Sequence, residues 1–269
     1  MNDTEIASFR RLCISLAREA GQLALDGRRT EMARGTNNLG TNTKSSATDL
    51  VTRYDQASES WIRDRLSQER PDDGVLGEEG TNIASRSGLH WIIDPIDGTT
   101  NFVYGYPAWG PSVAVAQGDT VIAGAVHIPM TGETFHAGLG LGAAQDDDPI
   151  SVNDPQELSS VLIATGFGYD AEHRGVQGRR VASLLPSVRD VRRSGSAAYD
   201  LCSVACGRVD AYFEDRLNVW DIAAGLLIAL EAGAVANSLD GGPPAAESIL
   251  VSTPGVHASL LRLLAETNH

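Results

Sequence analysis

The feature that most constrains the fold is a series of short apolar runs in the first half of the sequence. Each run is bounded by Gly, Pro or Asp, which end strands and begin turns. The runs cover residues 75–76, 91–93, 112–116, 121–126 and 134–137. They predict the strands of one sheet, and the turn signal at Gly118-Asp119 predicts that the two strands beside it pair as an antiparallel hairpin.

Two amphipathic helices precede these strands. Apolar residues at three- and four-residue spacing predict a first helix over residues 4–25, for which Asn2 and Glu5 could form a capping box. A similar pattern predicts a second helix over residues 55–68. The Gly-, Asn- and Thr-rich stretch 30–46 between them has no periodicity and is expected to be an exposed loop that carries Lys44.

The second half of the sequence alternates between strand and helix patterns. Strands are predicted over residues 161–165, 188–192 and 209–213, and helices over 174–185, 197–206, 221–231 and 254–265. We therefore expect an α+β domain over residues 1–150 and an α/β domain over residues 151–269.

Charge and composition narrow the possible partners. The 269 residues carry a formal net charge of −14, which disfavours direct binding to nucleic acid or to an anionic membrane surface. The longest nearly unbroken apolar run, residues 223–230, is far shorter than the roughly 20 residues that span a bilayer. The three cysteines form no even disulfide set and no signal peptide is evident, so a cytoplasmic location is expected.

The strongest chemical signal lies in residues 91–101, where an apolar strand runs into two acids, a proline and a Gly-Thr-Thr sequence. Asp94 and Asp97 stand three residues apart across a turn, so both carboxylates can converge on one point together with the Ile96 carbonyl. Such oxygen ligands suit Mg²⁺. The amides of Gly98 and Thr99 would begin a helix and favour a phosphate there. Alternatively, the two acids only cap a turn, as Asp-Pro and Asp-Gly often do.

Other acidic fragments have equally simple structural interpretations when each is taken alone. Glu78 and Glu79 could lie in a solvated loop, and Asp221 could complement the dipole of an apolar helix. Asp49 and Asp55 could be a turn residue and an N-cap.

Taken together, these fragments resemble the inositol monophosphatase family of Mg²⁺-dependent, lithium-sensitive phosphatases. The matching fragments occur in the family's order over nearly the whole chain: Lys44-Ser45-Ser46 with Asp49 to Asp55, Gly77-Glu78-Glu79, Asp94 to Phe102, Gly195-Ser196-Ala197, and Trp220-Asp221 to Gly225. The resemblance implies the layered αβαβα sandwich of sugar phosphatases, with the active site between an α+β and an α/β half.

The resemblance also implies a set of metal ligands. Glu78, Asp94 and the Ile96 carbonyl would hold one Mg²⁺, while Asp94, Asp97 and Asp221 would hold another, with two or three ions in each active site. Physical chemistry points the same way, because clustered carboxylates without cations repel each other and have raised pKa values.

The expected mechanism is hydrolysis by metal-activated water without a phosphoenzyme, because none of the motifs presents an obvious nucleophilic side chain with its own base. Thr99 and Asp55 would orient the water and accept its proton, and Glu78 would belong to the catalytic set. The amides of Gly98 and Thr99 would meet the phosphate, and Asp97 and Asp221 would also contact the substrate. Four residues would line the pocket for the leaving polyol: Gly195, Ser196, Ala197 and Glu214.

The expected reaction is hydrolysis of inositol-1-phosphate to inositol and phosphate. A carboxylate at Glu214 accepts hydrogen bonds from a polyol and disfavours a second phosphate. A related phosphatase acting on fructose-1,6-bisphosphate, histidinol phosphate or a nucleotide 3′-phosphate is the alternative. A transcription-related regulatory binding protein is an alternative of another class. The resemblance further implies a homodimer.

Several remaining residues are expected to be structural. Cys202 and Cys206 have the spacing of core residues on a helix, and neither His127 nor His136 is expected to bind metal. The basic cluster Arg189, Arg192 and Arg193 is expected to pair with acids or lie at a subunit interface. The acidic run within 139–150 replaces the usual Asn-Gly turn and puts a local hairpin there in doubt.

Overall fold

A computed structural model describes residues 1–35, 38–44, 46 and 49–266. Its helices are α1 (Asp3–Ala33), α2 (Arg53–Glu69), α3 (Thr99–Tyr104), α4 (Ala171–Leu184), α5 (Ala197–Ala205), α6 (Val219–Glu231) and α7 (Pro254–Glu266). Its strands are β1 (Asn42–Thr43), β2 (Leu50–Val51), β3 (Gly74–Gly77), β4 (Asn82–Ile83), β5 (Leu89–Asp97), β6 (Gly110–Gln117), β7 (Thr120–Ile128), β8 (Glu133–Gly138), β9 (Ala143–Gln145), β10 (Asp148–Pro149), β11 (Leu162–Thr165), β12 (Asp190–Arg192), β13 (Ala211–Asp215), β14 (Val235–Asn237) and β15 (Ser248–Ser252).

An eight-stranded sheet in the order β10-β9-β8-β7-β6-β5-β3-β4 forms the centre of the first half. Only β3 and β5 pair in parallel, and the predicted hairpin joins β6 to β7. One face packs on α1 and α2 through a core that includes Leu16, Ile62 and Trp91. The other face packs on α6 and α5, whose apolar side chains form the largest core cluster.

A five-stranded sheet in the order β12-β11-β13-β15-β14 forms the centre of the second half. It contacts α5 on one side, while α7 packs on its other side beside α4. The layers therefore run helices, sheet, helices, sheet, helices, and the predicted αβαβα sandwich is confirmed.

The second sheet differs from the simple α/β alternation that was predicted. Strand β11 pairs in parallel with β12 and β13, but β15 pairs antiparallel with both β13 and β14. Neither β14 nor β15 was predicted; both border the Gly- and Pro-rich segment 238–247. The predicted division near residue 150 stays a prediction, since α5 and α6 share one core with the first sheet.

The first helix is longer than predicted, and its extra length shortens the expected loop at 30–46. Arg28 and Glu31 are buried near its end, where Arg28 Nε donates to the Phe102 carbonyl (2.7 Å) and Glu31 pairs with Arg53. Polar residues hold this last part of α1, so its apolar periodicity could not reveal it. The predicted capping box of Asn2 and Glu5 is confirmed.

The hairpin that the acidic run put in doubt is present. Strands β9 and β10 pair antiparallel across a turn in which Asp146 has φ +54°. Asp tolerates this left-handed conformation better than most residues, so it replaces the missing Asn-Gly turn. Within the described residues, no helix is both long enough and apolar enough to cross a bilayer.

We expect Gly124→Ala to lower the free energy of unfolding by about 1–3 kcal/mol because it overpacks the contact between β7 and α6. A Cβ added at Gly124 would lie 2.9 Å from Ala224 Cα and 3.0 Å from its Cβ. Gly178→Ala on α4 is the matched control, since nothing lies within 4 Å of its added Cβ. Urea unfolding should leave the control unchanged or stabilised by up to about 1 kcal/mol. Equal stability of the two variants would contradict this packing argument.

Candidate active site

Strand β5 ends in a bulge that carries two of the predicted acids. Asp94 is opposite Ser112 and Asp97 is opposite Gly110, so β5 has one more residue here than its partner strand. The extra residue lies in the Pro95-Ile96 step, where proline has no N–H for the ladder. Both acids are consequently buried on the same short segment, with 2% and 9% of their surface exposed.

Gly98 then turns the chain from β5 into α3. Its φ of +89° is the left-handed conformation that favours glycine. Because Gly98 is the N-cap of α3, the first amides of that helix begin directly beside Asp97. The predicted helix start at Gly98 and Thr99 is confirmed.

The start of α5 holds Asp97 in place. Ser196 Oγ and the Ala198 amide each donate to Asp97 Oδ2 at 2.6 Å. Ser196 is also the N-cap of α5, where its hydroxyl accepts from the Tyr199 amide. The predicted segment Gly195-Ser196-Ala197 therefore lies beside Asp97, to which the Ser196 hydroxyl donates.

Asp221 lies on the first turn of α6, the helix that packs beside α5. The Asn218 amide donates to Asp221 Oδ2 (2.7 Å) in a capping box. Seven residues earlier, Glu214 lies near the end of β13 and accepts from the buried Tyr212 hydroxyl (2.6 Å). Asp221 is therefore a helix-start residue, as its structural interpretation predicts, and it also lies among the candidate site residues.

Glu78 and Glu79 lie in the turn after β3, and both accept hydrogen bonds from the ammonium group of Lys44. Lys44 Nζ donates to Glu78 Oε1 at 2.8 Å and to Glu79 Oε1 at 2.6 Å. Burial alone would lower the pKa of Lys44, but the two carboxylates raise it above its ordinary value. Ser45, the next residue of the predicted fragment, lies outside the described residues.

The acids interact strongly with one another. Burial, followed by the charges of Glu78, Asp97 and Asp221, raises the pKa of Asp94 well above its ordinary value. Burial also raises the pKa of Asp97 to about 6, although the hydroxyl of Ser196 opposes that shift. Burial and then Asp97 raise the pKa of Asp221. Such mutual repulsion is what a bound cation would relieve.

The donor chemistry fits Mg²⁺, because every candidate ligand is an oxygen. Among the residues that the structure describes, however, no three acidic, histidine or cysteine side chains already stand as a formed ligand set. Glu78 is bonded to Lys44 instead. A cation at these acids would therefore compete with the Lys44 ion pair for Glu78.

Asp55 and Thr99 form a hydrogen-bonded pair behind the acids. Thr99 Oγ1 lies 3.0 Å from Asp55 Oδ1 and 3.2 Å from the Ile96 carbonyl oxygen, which are both acceptors. Asp55 also completes a capping box with Thr52, so it both caps α2 and contacts Thr99. Burial raises the pKa of Asp55 to about 6, against hydrogen bonds from Thr52 and Thr99 that lower it.

One cavity of about 440 Å³ collects nearly all of the predicted site residues. Its lining includes Glu78, Asp94, Ile96, Asp97, Gly98, Thr99, Gly195, Ser196, Ala197, Glu214 and Asp221. Asp55 is the exception, since it lies behind Thr99 and does not line the cavity.

The cavity also has lining residues that the sequence did not single out. Tyr169 and His173 come from the segment after β11, and Asp200 from the first turn of α5. Arg193 was grouped with Arg192 in a basic cluster, yet it lines the cavity, whereas Arg192 pairs with Asp190. These residues lack a local motif, so only the packing of the second half reveals them.

Residues expected to be structural have local partners. His127 Nδ1 lies 3.0 Å from Thr134 Oγ1, and His136 Nε2 lies 2.8 Å from the Asp146 carbonyl oxygen. Cys202 is buried in the core of α5, and Cys206 is half-buried at its end. Arg189 Nε donates to the Ser160 carbonyl.

Comparisons with known proteins find relatives that cover most of this chain. A curated relative from Mycobacterium tuberculosis (strain H37Rv), named inositol-1-monophosphatase SuhB, is 42% identical over 280 residues, which cover 99% of this chain and 96% of that protein. A relative from Vibrio cholerae, named Nus factor SuhB, is 39% identical over 232 residues, covering 84% of this chain and 86% of that protein.

The solved structure of the extragenic suppressor protein suhB from Bartonella henselae superposes with a TM-score of 0.88 at 33% identity, covering 94% of this chain and 97% of that chain. The sequence profile of the inositol monophosphatase family matches residues 5–269. With this site on this fold, the chain belongs to the inositol monophosphatase family.

Proposed function

We propose that this chain is a Mg²⁺-dependent, lithium-sensitive phosphatase that hydrolyses inositol-1-phosphate to inositol and phosphate. The observation that carries the proposal is the convergence of four acids, Glu78, Asp94, Asp97 and Asp221, in one cavity beside the Asp55–Thr99 pair. Family membership supports a phosphatase, and the name of the Mycobacterium tuberculosis relative supports the substrate.

The acids would hold two or three Mg²⁺ ions. We assign Glu78, Asp94 and the Ile96 carbonyl to one ion, and Asp94, Asp97 and Asp221 to another. Bound Mg²⁺ would supply positive charge for the phosphate and Lewis acidity toward the attacking water. The mutual repulsion of these buried carboxylates supports this assignment, because it makes a divalent cation the favourable partner.

Thr99 and Asp55 would direct the water and take up its proton. The Thr99 hydroxyl donates its hydrogen bond to Asp55 Oδ1 and the Ile96 carbonyl, so Thr99 Oγ1 can accept a hydrogen bond from water. As the water attacks phosphorus, its proton would pass to Thr99 Oγ1 while the Thr99 proton passes to Asp55 Oδ1. The ester bond between phosphorus and the inositol oxygen would break on the opposite side, and the departing alkoxide would take a proton from solvent water. A pKa of about 6 leaves Asp55 ionised at neutral pH and basic enough to serve.

The remaining cavity residues would bind the substrate. The Gly98 and Thr99 amides at the start of α3 would meet the phosphoryl oxygens. Glu214, held by the Tyr212 hydroxyl, would accept hydrogen bonds from the leaving polyol, with Gly195 and Ala197 on the adjoining wall.

The alternative substrates and the second candidate role are tested by the experiments described below. Fructose-1,6-bisphosphate, histidinol phosphate and a nucleotide 3′-phosphate are the alternative substrates. The Nus factor name of the Vibrio cholerae relative supports a second candidate role in transcription. A homodimer is proposed from family membership, and sedimentation equilibrium at micromolar concentration tests it.

We expect Asp94→Asn to lower phosphate release from inositol-1-phosphate at least about 100-fold, and to weaken Mg²⁺ binding at least about tenfold in calorimetry. Removing a buried like charge should not destabilise the metal-free protein. Asp73→Asn is the matched control. Asp73 is a buried aspartate just before β3 that accepts from Trp91 Nε1 and does not line the cavity. It should stay within about twofold of the parent. Normal turnover by Asp94→Asn would refute the metal assignment.

The substrate assignment is tested with the parent protein on the four phosphate esters, with Mg²⁺ varied and Li⁺ added. Preference for inositol-1-phosphate together with Li⁺ inhibition is the expected result. Preference for another ester would keep the mechanism and change the substrate. Failure on all four, with capture of transcription proteins by both parent and Asp94→Asn, would favour the second candidate role.

Glu214 should make folding stability depend on pH in a recognisable way. Burial raises its pKa to about 7, so protonation favours the folded state; this contribution is complete below about pH 4 and is lost as the pH rises through 7. We therefore expect Glu214→Gln to gain stability relative to the parent between pH 5 and 8.5, measured by urea unfolding in EDTA.

The matched control for this experiment is Glu133→Gln. The hydrogen bond from Arg208 lowers the pKa of Glu133, so its contribution stays constant between pH 5 and 8.5. If the stability gain of Glu214→Gln over the parent changed with pH no more than that of Glu133→Gln, the raised pKa of Glu214 would be contradicted. Unchanged kinetics of Glu214→Gln with inositol-1-phosphate would separately weaken the polyol assignment.

A further inference from the structure

Helix α2 carries a second buried carboxylate one turn after Asp55. Glu59 is only 3% exposed, and its spacing from Asp55 puts both acids on the same face of the helix. No motif in the sequence singles it out. A buried carboxylate is costly unless it is well bonded, so its partners indicate what it does.

Both oxygens of Glu59 are bonded to the turn that follows β3. Glu59 Oε2 accepts from the Glu79 amide at 2.7 Å, and Oε1 accepts from the Thr81 amide at 3.0 Å. The approach is close, because a Cβ added at Gly77 would overlap the Glu59 carboxylate. The same turn is closed by the Gly77 amide on the Thr81 carbonyl (2.7 Å).

This turn also carries Glu78 on the cavity side. The Glu78 amide donates to the Ile93 carbonyl (3.1 Å), and its carboxylate lines the cavity. On its outer side the turn faces an open recess lined by Gln56, Ser60 and Arg63, with Glu59 among the lining residues. The two hydrogen bonds that Glu59 accepts therefore tie the turn to α2 on the side where the recess is open.

We propose that Glu59 is a positioning residue that sets the backbone of residues 78–81 and thereby aims the Glu78 carboxylate at the cation. The proposal rests on the Mg²⁺-dependent function proposed above. Helix α2 then aligns two parts of the site at once, since Asp55 contacts Thr99 and Glu59 holds the turn that bears Glu78.

The test compares Mg²⁺ binding to the metal-free full-length protein and to Glu59→Gln by calorimetry. Glutamine has the same size but one oxygen, so one of the two amides loses its acceptor and faces an N–H donor. We expect the Kd for Mg²⁺ to rise about 10- to 100-fold, as for other residues that orient metal ligands. The Mg²⁺ concentration for half-maximal phosphate release should rise in parallel, while kcat at saturating Mg²⁺ stays within about twofold.

Asp73→Asn is the matched control for a general loss of stability. It alters a buried carboxylate just before β3 that bonds Arg70 and Trp91, away from the turn. A comparable fall in Tm with unchanged Mg²⁺ affinity is expected. If Glu59→Gln does not fold, Glu59→Asp decides the question in the same assay, since its shorter side chain cannot reach both amides.

The outcomes separate this proposal from the proposed function. Parent-like Mg²⁺ affinity in Glu59→Gln, with an active parent, would overturn the role of Glu59 and leave the phosphatase assignment standing. An equal loss of affinity in Asp73→Asn would also overturn it. A parent that neither binds Mg²⁺ nor releases phosphate would overturn both.

Discussion

The hydrogen bonds between Asp97 and the start of α5 join the two halves of the molecule at the site. Ser196 Oγ and the Ala198 amide reach Asp97 from about a hundred residues away in sequence. Asn101 strengthens this junction by donating to the carbonyls of Ala108 and Ser194. The cavity exists only because the end of β5 meets the second half here, and a shared apolar core holds that contact in register.

The site concentrates negative charge in a chain that is already acidic. The described structure offsets part of this charge with fixed donors: Lys44 on Glu78, amides on Asp97 and Asp221, and hydroxyls on Asp55 and Glu214. These donors orient the carboxylates without removing their mutual repulsion. Burial, and then the charges of Glu78, Asp97 and Asp221, keep the pKa of Asp94 raised. An arrangement of this kind favours a divalent cation followed by an anionic substrate.

The elements with clear periodicity were predictable, and the elements held by polar contacts were not. The strands from β5 to β8 and the helices α2, α5 and α6 agree with their patterns to within a few residues. The end of α1 was missed because buried Arg28 and Glu31 interrupt its apolar pattern. The bulge in β5 was missed because a strand pattern does not reveal an extra residue, although Pro95 is a signal that could have located it.

Within the candidate site, residue types and order were visible in the sequence, but partners were not. Asp55 illustrates the difference, because the sequence suggested an N-cap, whereas Thr52 is the N-cap and Asp55 completes its capping box while also accepting from Thr99 Oγ1. Arg193 and Glu59 illustrate the limit, since neither stands in a motif and each acquires its position from packing between distant segments.

The sequence by itself determined the family and the layered fold, and it singled out the candidate acids, because those depend on local periodicity and on motifs of fixed spacing. Only the tertiary structure decided which carboxylates face one another, which cation pairs with Glu78 and which buried groups hold the turn after β3. Those features depend on distances between segments far apart in the chain, and electrostatic and hydrogen-bond energies fall off within a few ångströms.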